Sequence, residues 1–111
     1  METELRTTLA AQPPEHRTII RIACRYVEQR QARAAKAAAE GREPLPVPTL
    51  LDTTLALLMA HRNGCALDLE RMLAADEFNL EHDVGGILTH LDRRTGKVGG
   101  LFLPRMMKVA A

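Results

Sequence analysis

Apolar residues recur at helical spacing in four parts of this chain, and the first part carries a stripe of four residues. Its members are Ile19, Ile22, Ala23 and Tyr26. The spacing predicts one apolar face on a long helix that covers about residues 15–40. A proline pair at 13–14 suits the start of this helix, and Gly41 suits the left-handed position after its end. We expect the apolar face to pack on residues 50–62 or on the same helix of a second copy.

The second half of this helix is an alanine-rich tract, residues 32–39, with high helical propensity but little side chain to bury. We expect it to project beyond the packed part, as a solvated extension or as a flat surface for another chain. The stretch "GREPLPVPT" (residues 41–49) follows, with proline at every second position from 44 to 48. Alternating prolines cannot continue a helix, so this stretch predicts an extended strut.

Three shorter helical patterns follow the strut. Residues 50–62 have Thr49 as their predicted N-cap and Asn63-Gly64 as their stop. Residues 67–77 repeat the pattern, "FN" at 78–79 predicts a turn, and residues 81–94 predict a third helix that ends at Thr95-Gly96. The expected inward residues are Leu51, Leu55, Leu58 and Met59, then Leu69, Met72 and Leu73, then Val84, Ile87, Leu88 and Leu91. The last pattern, "KVGGLFLP" (97–104), predicts a short extended segment because its glycines weaken a helix.

The stretch "LERMLAADEFNLEHDVGGILTHLDRRTGKV" (69–98) resembles the core of winged helix-turn-helix proteins. The resemblance lies in the spacing of the leucines and in the Gly-Lys-Val that leads into a wing, and it covers about residues 50–103. Together with the helical patterns, it predicts an all-α, mainly helical fold: a long N-terminal helix, a winged-helix-like tri-helical core and a short C-terminal extended segment. We expect residues 1–48 to form a helical arm and proline strut and residues 49–111 to form the core, within one compact domain.

A second resemblance concerns the biological setting rather than the fold. The stretch "HDVGGILTHLDRRTGKVGGLFLPR" (82–105) resembles small uncharacterised proteins of bacteria and their phages. It implies a phage or mobile-element context and assigns no catalytic residue.

The composition of the chain excludes several classes of function. The chain contains no serine, which excludes a serine nucleophile, and it has neither a phosphate-binding P-loop nor a dinucleotide-binding glycine pattern. Its two cysteines, Cys24 and Cys65, are far apart and indicate reduced thiols rather than a disulfide framework. The N-terminus is polar, and no apolar run approaches the about 18 residues of a membrane span. We therefore expect a cytoplasmic, non-enzymatic protein with no cofactor and no membrane contact.

A metal site is the first candidate chemistry, because "LEHDVGGIL" resembles the His-Asp helix of HD-type metal phosphohydrolases. That resemblance implies His61, His82 and Asp83 as ligands, completed by a distant aspartate such as Asp92. The spacing argues against it: Asp92 follows Asp83 by nine residues, about 13 Å along one helix axis. We expect the His-Asp pair to cap the start of its helix instead, and we assign no metal ligands.

Nucleic-acid binding is the second candidate. The formal net charge is only +1, and acidic residues stand at the start of the helix that would enter a DNA groove. Basic residues are concentrated after that helix and along the first helix, where we consider them as phosphate contacts. The candidate nucleic-acid contacts are Thr89, Arg93, Arg94, Lys97 and Arg105, with Arg17, Arg21 and Arg25 on the first helix.

Protein binding is the third candidate and the one we favour. It rests on the alanine tract, the proline strut and an apolar cluster beside basic residues in the C-terminal tail. That cluster consists of Leu101, Phe102, Leu103, Met106 and Met107. The resulting hypothesis is a phage or mobile-element accessory protein that binds and modulates or inhibits a bacterial protein. A winged-helix DNA-binding regulator is the alternative, and a homodimer is compatible with either function.

Overall fold

A computed structural model describes residues 14–62 and 67–98 of the chain, and the regular secondary structure within them, apart from one β-bridge, is helical. The helices are α1 (Pro14–Ala39), α2 (Leu50–Ala60), α3 (Leu69–Ala74) and α4 (Glu77–His90). An isolated antiparallel bridge between Leu91 and Val98 follows α4. The expected all-α class is confirmed. In these described parts of the chain, no helix is long and apolar enough to cross a membrane.

Helix α1 has nearly the predicted bounds, and its end is fixed by a glycine turn. Gly41 has a φ of 75°, and its N–H donates to the Ala38 carbonyl at 3.1 Å. The next N–H, that of Arg42, reaches back to the Ala37 carbonyl at 2.8 Å. These two bonds form a Schellman motif, which satisfies the last carbonyls of the helix and reverses the chain.

The proline strut runs back along α1 because one arginine side chain ties the two together. Arg30 donates one N–H to the Pro46 carbonyl at 2.7 Å and another to the Tyr26 hydroxyl at 2.8 Å. Within the alanine tract, Ala37 is only 6% exposed. The expectation that the whole tract projects beyond the packed part is therefore wrong at Ala37, although most of its neighbours are exposed.

The apolar stripe of α1 forms the centre of the core. Ile19, Ile22 and Ala23 have no exposed surface, and Tyr26 is 2% exposed. Helix α1 packs most extensively on α2 and also contacts α3 and α4. Of the two ways in which the stripe could be covered, the structure shows the first: the chain buries it against its own residues 50–60.

Helix α2 begins as predicted but turns a different face inward. The Thr49 hydroxyl accepts a hydrogen bond from the Asp52 N–H at 3.1 Å, which confirms Thr49 as the N-cap. Leu51 and Leu55, which we expected inside, are 67% and 44% exposed. The buried residues of the helix are Thr53, Ala56, Leu57 and Ala60. Apolar residues occur on most sides of α2, so their spacing alone could not identify the buried face. The small residues on that face allow close packing against another helix.

Helices α3 and α4 both begin at an aspartate that accepts a backbone hydrogen bond. Asp68 accepts from the Arg71 N–H at 3.2 Å, and Asp76 accepts from the Asn79 N–H at 2.8 Å. The expected turn at 78–79 is therefore wrong: both residues lie in the first turn of α4, which starts four residues before the predicted bound. The predicted inward residues are confirmed as the core side of these helices, with Leu69, Met72, Val84 and Ile87 buried and Leu73, Leu88 and Leu91 partly buried.

Helix α4 also ends earlier than predicted, because Leu91 has extended backbone angles. A turn follows at residues 93–95, closed by the Asp92 N–H, which donates to the Lys97 carbonyl at 2.8 Å. Gly96 has a φ of 73°, a conformation that glycine adopts without strain. The helix predicted for 91–94 is thus a tight turn. Of the extended segment predicted for 97–104, Val98 forms the bridge and residues 99–104 lie outside the described residues.

The contrast between the two helix faces gives a stability prediction. Ile22→Ala should lower the free energy of unfolding by about 2–5 kcal/mol, because it opens a cavity among residues with no exposed surface. Leu51→Ala should change it by less than about 0.5 kcal/mol, because the side chain is mostly solvated. Urea unfolding of both variants at low micromolar concentration measures the difference. Equal losses would contradict the assignment of the two faces.

Candidate functional site

The outer face of α4 carries an exposed aromatic side chain beside acidic groups. Phe78, in the first turn, is 76% exposed, and its ring lies 6.4 Å from that of His82, centroid to centroid. Asp76, the N-cap, and Glu77 flank it and are also exposed. Because the opposite side of α4 is held in the core, this face is fixed outward. We call Asp76, Glu77, Phe78 and His82 the Phe78 surface.

Helix α4 carries several acidic side chains. The helix contains no lysine or arginine, and Glu81 follows one turn after Glu77. Acidic side chains are stabilised at this end by the helix dipole. Glu81 is bound by Arg33 of α1, with a nitrogen-to-oxygen distance of 2.6 Å. The first turn of α4 is therefore acidic, which disfavours contact with phosphate.

Asp83 has a structural position different from the one we expected. It lies in the middle of α4, not at its start, and has no exposed surface. Arg71 of α3 approaches one carboxylate oxygen at 3.6 Å, and the His82 ring approaches the other at 3.7 Å. The expected capping role is wrong, because Asp76 is the cap; Asp83 instead joins α3 to α4 through an ion pair.

The two histidine positions considered for a metal have separate partners. His61, just after α2, places Nε2 2.7 Å from the Glu15 carboxylate at the start of α1. His82 lies beside Asp83 on α4. Within residues 14–62 and 67–98, the structure brings together no group of three or more histidine, cysteine, aspartate or glutamate side chains suited to a metal ion.

Three of the candidate nucleic-acid contacts lie together at the turn after α4. Arg93, Arg94 and Lys97 are all exposed, and the Arg94 side chain is 93% exposed, 3.9 Å from Asp92. Thr89 is exposed near the end of α4, where its hydroxyl donates to the Gly85 carbonyl at 2.8 Å. The turn after α4 is thus basic and exposed, whereas the first turn of α4 itself is acidic.

The three α1 arginines proposed as nucleic-acid contacts fall into two groups. Arg17 and Arg21 are exposed, as a phosphate contact requires. Arg25 is half-buried, and its guanidinium donates to the carbonyls of Leu73 and, at 2.9 Å, Ala75. It therefore holds the end of α3, and we do not include it in a binding surface.

The remaining candidates lie outside the described residues. They are Arg105 among the proposed nucleic-acid contacts and Leu101, Phe102, Leu103, Met106 and Met107 among the proposed protein contacts.

Cys24 on α1 is not suited to nucleophilic chemistry. Burial raises the pKa of its thiol, and the nearby Glu28 carboxylate raises it further. Because the thiolate is the reactive form, this cysteine is protonated and unreactive at neutral pH.

A cleft of about 300 Å³ lies between α1, the strut and α4. Arg30, Arg33 and Arg42 line it together with Glu43 and Glu81. Each arginine already has a partner: the Tyr26 hydroxyl and Pro46 carbonyl, Glu81, and Glu40, respectively. The groups that line the cleft are thus occupied in holding the strut and α4 against α1.

Sequence reasoning missed the Phe78 surface because it assigned Phe78 to a turn. The signal that could have found it was Asp76, three residues before Asn79 and directly ahead of a helical pattern. With Asp76 as N-cap, Phe78 falls opposite Leu80 and Val84, and its exposure follows from the helical period.

The ion pair between Arg71 and the buried Asp83 gives a second prediction. Arg71→Met should destabilise the protein by about 3 kcal/mol, because it removes the Arg71 guanidinium from the buried Asp83 carboxylate. Arg94→Met, which breaks an exposed pair, should cost less than about 1 kcal/mol. Replacing both members as Arg71→Met with Asp83→Leu should recover much of the loss in a thermal unfolding series. A double variant no more stable than Arg71→Met would contradict the ion-pair explanation.

Residues 15–108 match the model of one protein family, described as Family of unknown function (DUF6874). The match includes all four helices except the first residue of α1, together with the turn that follows α4. No curated protein and no solved structure matches the chain. Since the match extends over most of its length, the chain belongs to the DUF6874 family.

Proposed function

We propose that this protein is a non-catalytic protein-binding domain and that its partner binds at the Phe78 surface. The observation that carries the proposal is the 76% exposure of Phe78 on a helix face that the core holds outward. Aromatic side chains are enriched at protein interfaces, where a buried apolar centre is surrounded by a polar rim. The Phe78 surface has this composition on a small scale.

The charge of the surface specifies the partner further. Asp76 and Glu77 beside the ring favour an apolar pocket rimmed by lysine or arginine. Phe78 sits in the first turn of a helix, which holds its backbone in place before binding, so little backbone entropy is lost on association. A basic-rimmed pocket on another protein is therefore the complement we propose.

The winged-helix resemblance supports a binding role of this kind. The order of α2, α3, α4 and the 91–98 turn is compatible with that resemblance, which implies that the last helix carries the recognition residues. Here that helix begins with acidic and aromatic groups, which suit a protein better than a phosphate backbone. A cytoplasmic location, a phage or mobile-element context and an inhibitory effect on a bacterial protein stay predictions.

Substitution at Phe78 tests the proposal. We expect Phe78→Ala to weaken partner binding by about 30-fold, the equivalent of about 2 kcal/mol for an interface anchor. Leu45→Ala, at a site on the strut that is 72% exposed, is the matched control and should bind like the wild type. The partner is first captured from a bacterial extract with the wild-type protein, then prepared pure, and its affinity for all three proteins is measured by calorimetry. A partner that binds Phe78→Ala as tightly as the wild type would remove the proposal.

A second candidate function, nucleic-acid binding, is favoured by one observation, the exposed cations of the 91–98 turn. If Arg93, Arg94 and Lys97 contact phosphates, replacing all three with alanine should reduce the slope of log affinity against log salt by about 2.7, because each phosphate contributes about 0.9. Fluorescence anisotropy with a short DNA duplex between 50 and 200 mM salt measures the slope. An unchanged slope, or no duplex binding at low salt, would exclude this turn as a DNA contact.

A further inference from the structure

The cleft between α1, the strut and α4 has the size and the mixed lining of a small-molecule site. Its volume of about 300 Å³ is at the lower end of the range for such sites, about 300–1,000 Å³. Apolar surface in the cleft comes from Ala34, Ala37 and Leu45. Sites of this kind combine apolar surface with a few polar groups that fix the ligand. The charges in the cleft therefore indicate which ligand it suits.

Arg30 brings a positive charge into the cleft that the chain does not neutralise. Its two hydrogen bonds hold the strut, but both acceptors, the Tyr26 hydroxyl and the Pro46 carbonyl, are uncharged. Among the residues that the structure describes, no carboxylate forms an ion pair with Arg30. A guanidinium has five N–H donors, so these two bonds leave three of them for another acceptor. Because the side chain is part-buried, an anion that pairs with it there is favoured.

The Arg30 guanidinium is also held in one position without a ligand. It lies over the Tyr26 ring, 5.8 Å from the ring centroid, and its bond to the Pro46 carbonyl ties it to the strut. A side chain that is already fixed loses little conformational entropy when it binds a ligand. Arg30 is therefore prepared to hold an anion.

The other charged groups of the cleft lie near its mouth. Arg42 donates from Nε and Nη2 to Glu40, which leaves Nη1 without a hydrogen bond in the described part of the chain. Arg33 is paired with Glu81. Glu43 is exposed on the strut and is the acid that would oppose an anion. Three arginines against two glutamates give the cleft lining a net positive charge.

We infer that this cleft binds a small molecule that carries a phosphate or a carboxylate group. Arg30 and Arg42 hold the anionic group, since the planar guanidinium matches the oxygen atoms of either anion. The apolar surface of Ala34, Ala37 and Leu45 then packs against the rest of the molecule. Protein binding is proposed at the Phe78 surface instead, so either proposal can fail without the other.

A titration of the ¹⁵N-labelled full chain, followed by NMR, tests the inference. Sodium phosphate and sodium acetate are added in separate experiments, with sodium chloride keeping the ionic strength constant. We expect saturable shifts of the Arg30 Nε–H and of the amides of residues 34–45, with a dissociation constant of about 1–10 mM for so small a probe. Saturation by phosphate alone assigns the site to phosphate-bearing molecules, and saturation by acetate assigns it to carboxylate-bearing ones.

Variants at the mouth of the cleft test the charge without disturbing the strut. Arg42→Gln should raise the dissociation constant about fivefold, because it removes a charged donor. Glu43→Gln should lower it about twofold, because it removes the opposing acid. Arg62→Gln, an exposed position after α2 and outside the cleft, is the control and should bind like the wild type.

Three results would overturn the inference. One is the lack of saturable shifts with either anion up to about 100 mM. Another is a set of shifts confined to the basic turn, residues 93–97, which would place the anion there. The third is equal affinity of Arg42→Gln and the wild type, which would show that Arg42 does not contact the anion.

Discussion

Burial of the α1 stripe is the interaction on which the rest of the structure depends. Ile19, Ile22 and Tyr26 are enclosed by helices that are too short to form a core without them. Helix α3, for example, has only six residues, and Arg25 of α1 binds the carbonyls at its end. Since short helices gain most of their stability from packing, α2, α3 and α4 depend on α1 for their arrangement.

This arrangement determines which surfaces remain for partners. With α1 against their inner sides, α2 and α4 turn Leu51 and Phe78 to the outside. Ala37 is buried, and Arg30 ties the strut to α1 through the Pro46 carbonyl. The exposure of these apolar groups is therefore a consequence of how the core is filled.

The sequence predicted α1 well because its signals agree with one another. Its stripe is strongly amphipathic, and prolines and Gly41 mark its two ends. Helix α2 was harder to predict, since apolar residues occur on most of its sides and the buried face includes the small residues Ala56 and Ala60, which allow close packing. The start of α4 was misplaced because an aspartate N-cap was read as part of the preceding helix.

Other features could not be predicted because they are tertiary. Nothing in the local pattern brings Arg71 to Asp83, and a His-Asp pair near a predicted helix start looked like a cap. Phe78 became a candidate for function only when α4 was seen to begin at Glu77. The spacing along each helix thus predicted apolar and polar faces, whereas contacts between helices determined which of those faces are buried.

Hydrogen exchange tests most directly whether α1 is part of the core or a separate arm. If α1 belongs to the core, the amides of residues 19–27 should exchange only through global unfolding, with the same protection as those of residues 80–87. Mass spectrometry of the exchanging protein, resolved by peptide, measures both segments in one experiment. Rapid exchange in residues 19–27 while residues 80–87 stay protected would show that the three shorter helices fold without α1, and it would contradict this account.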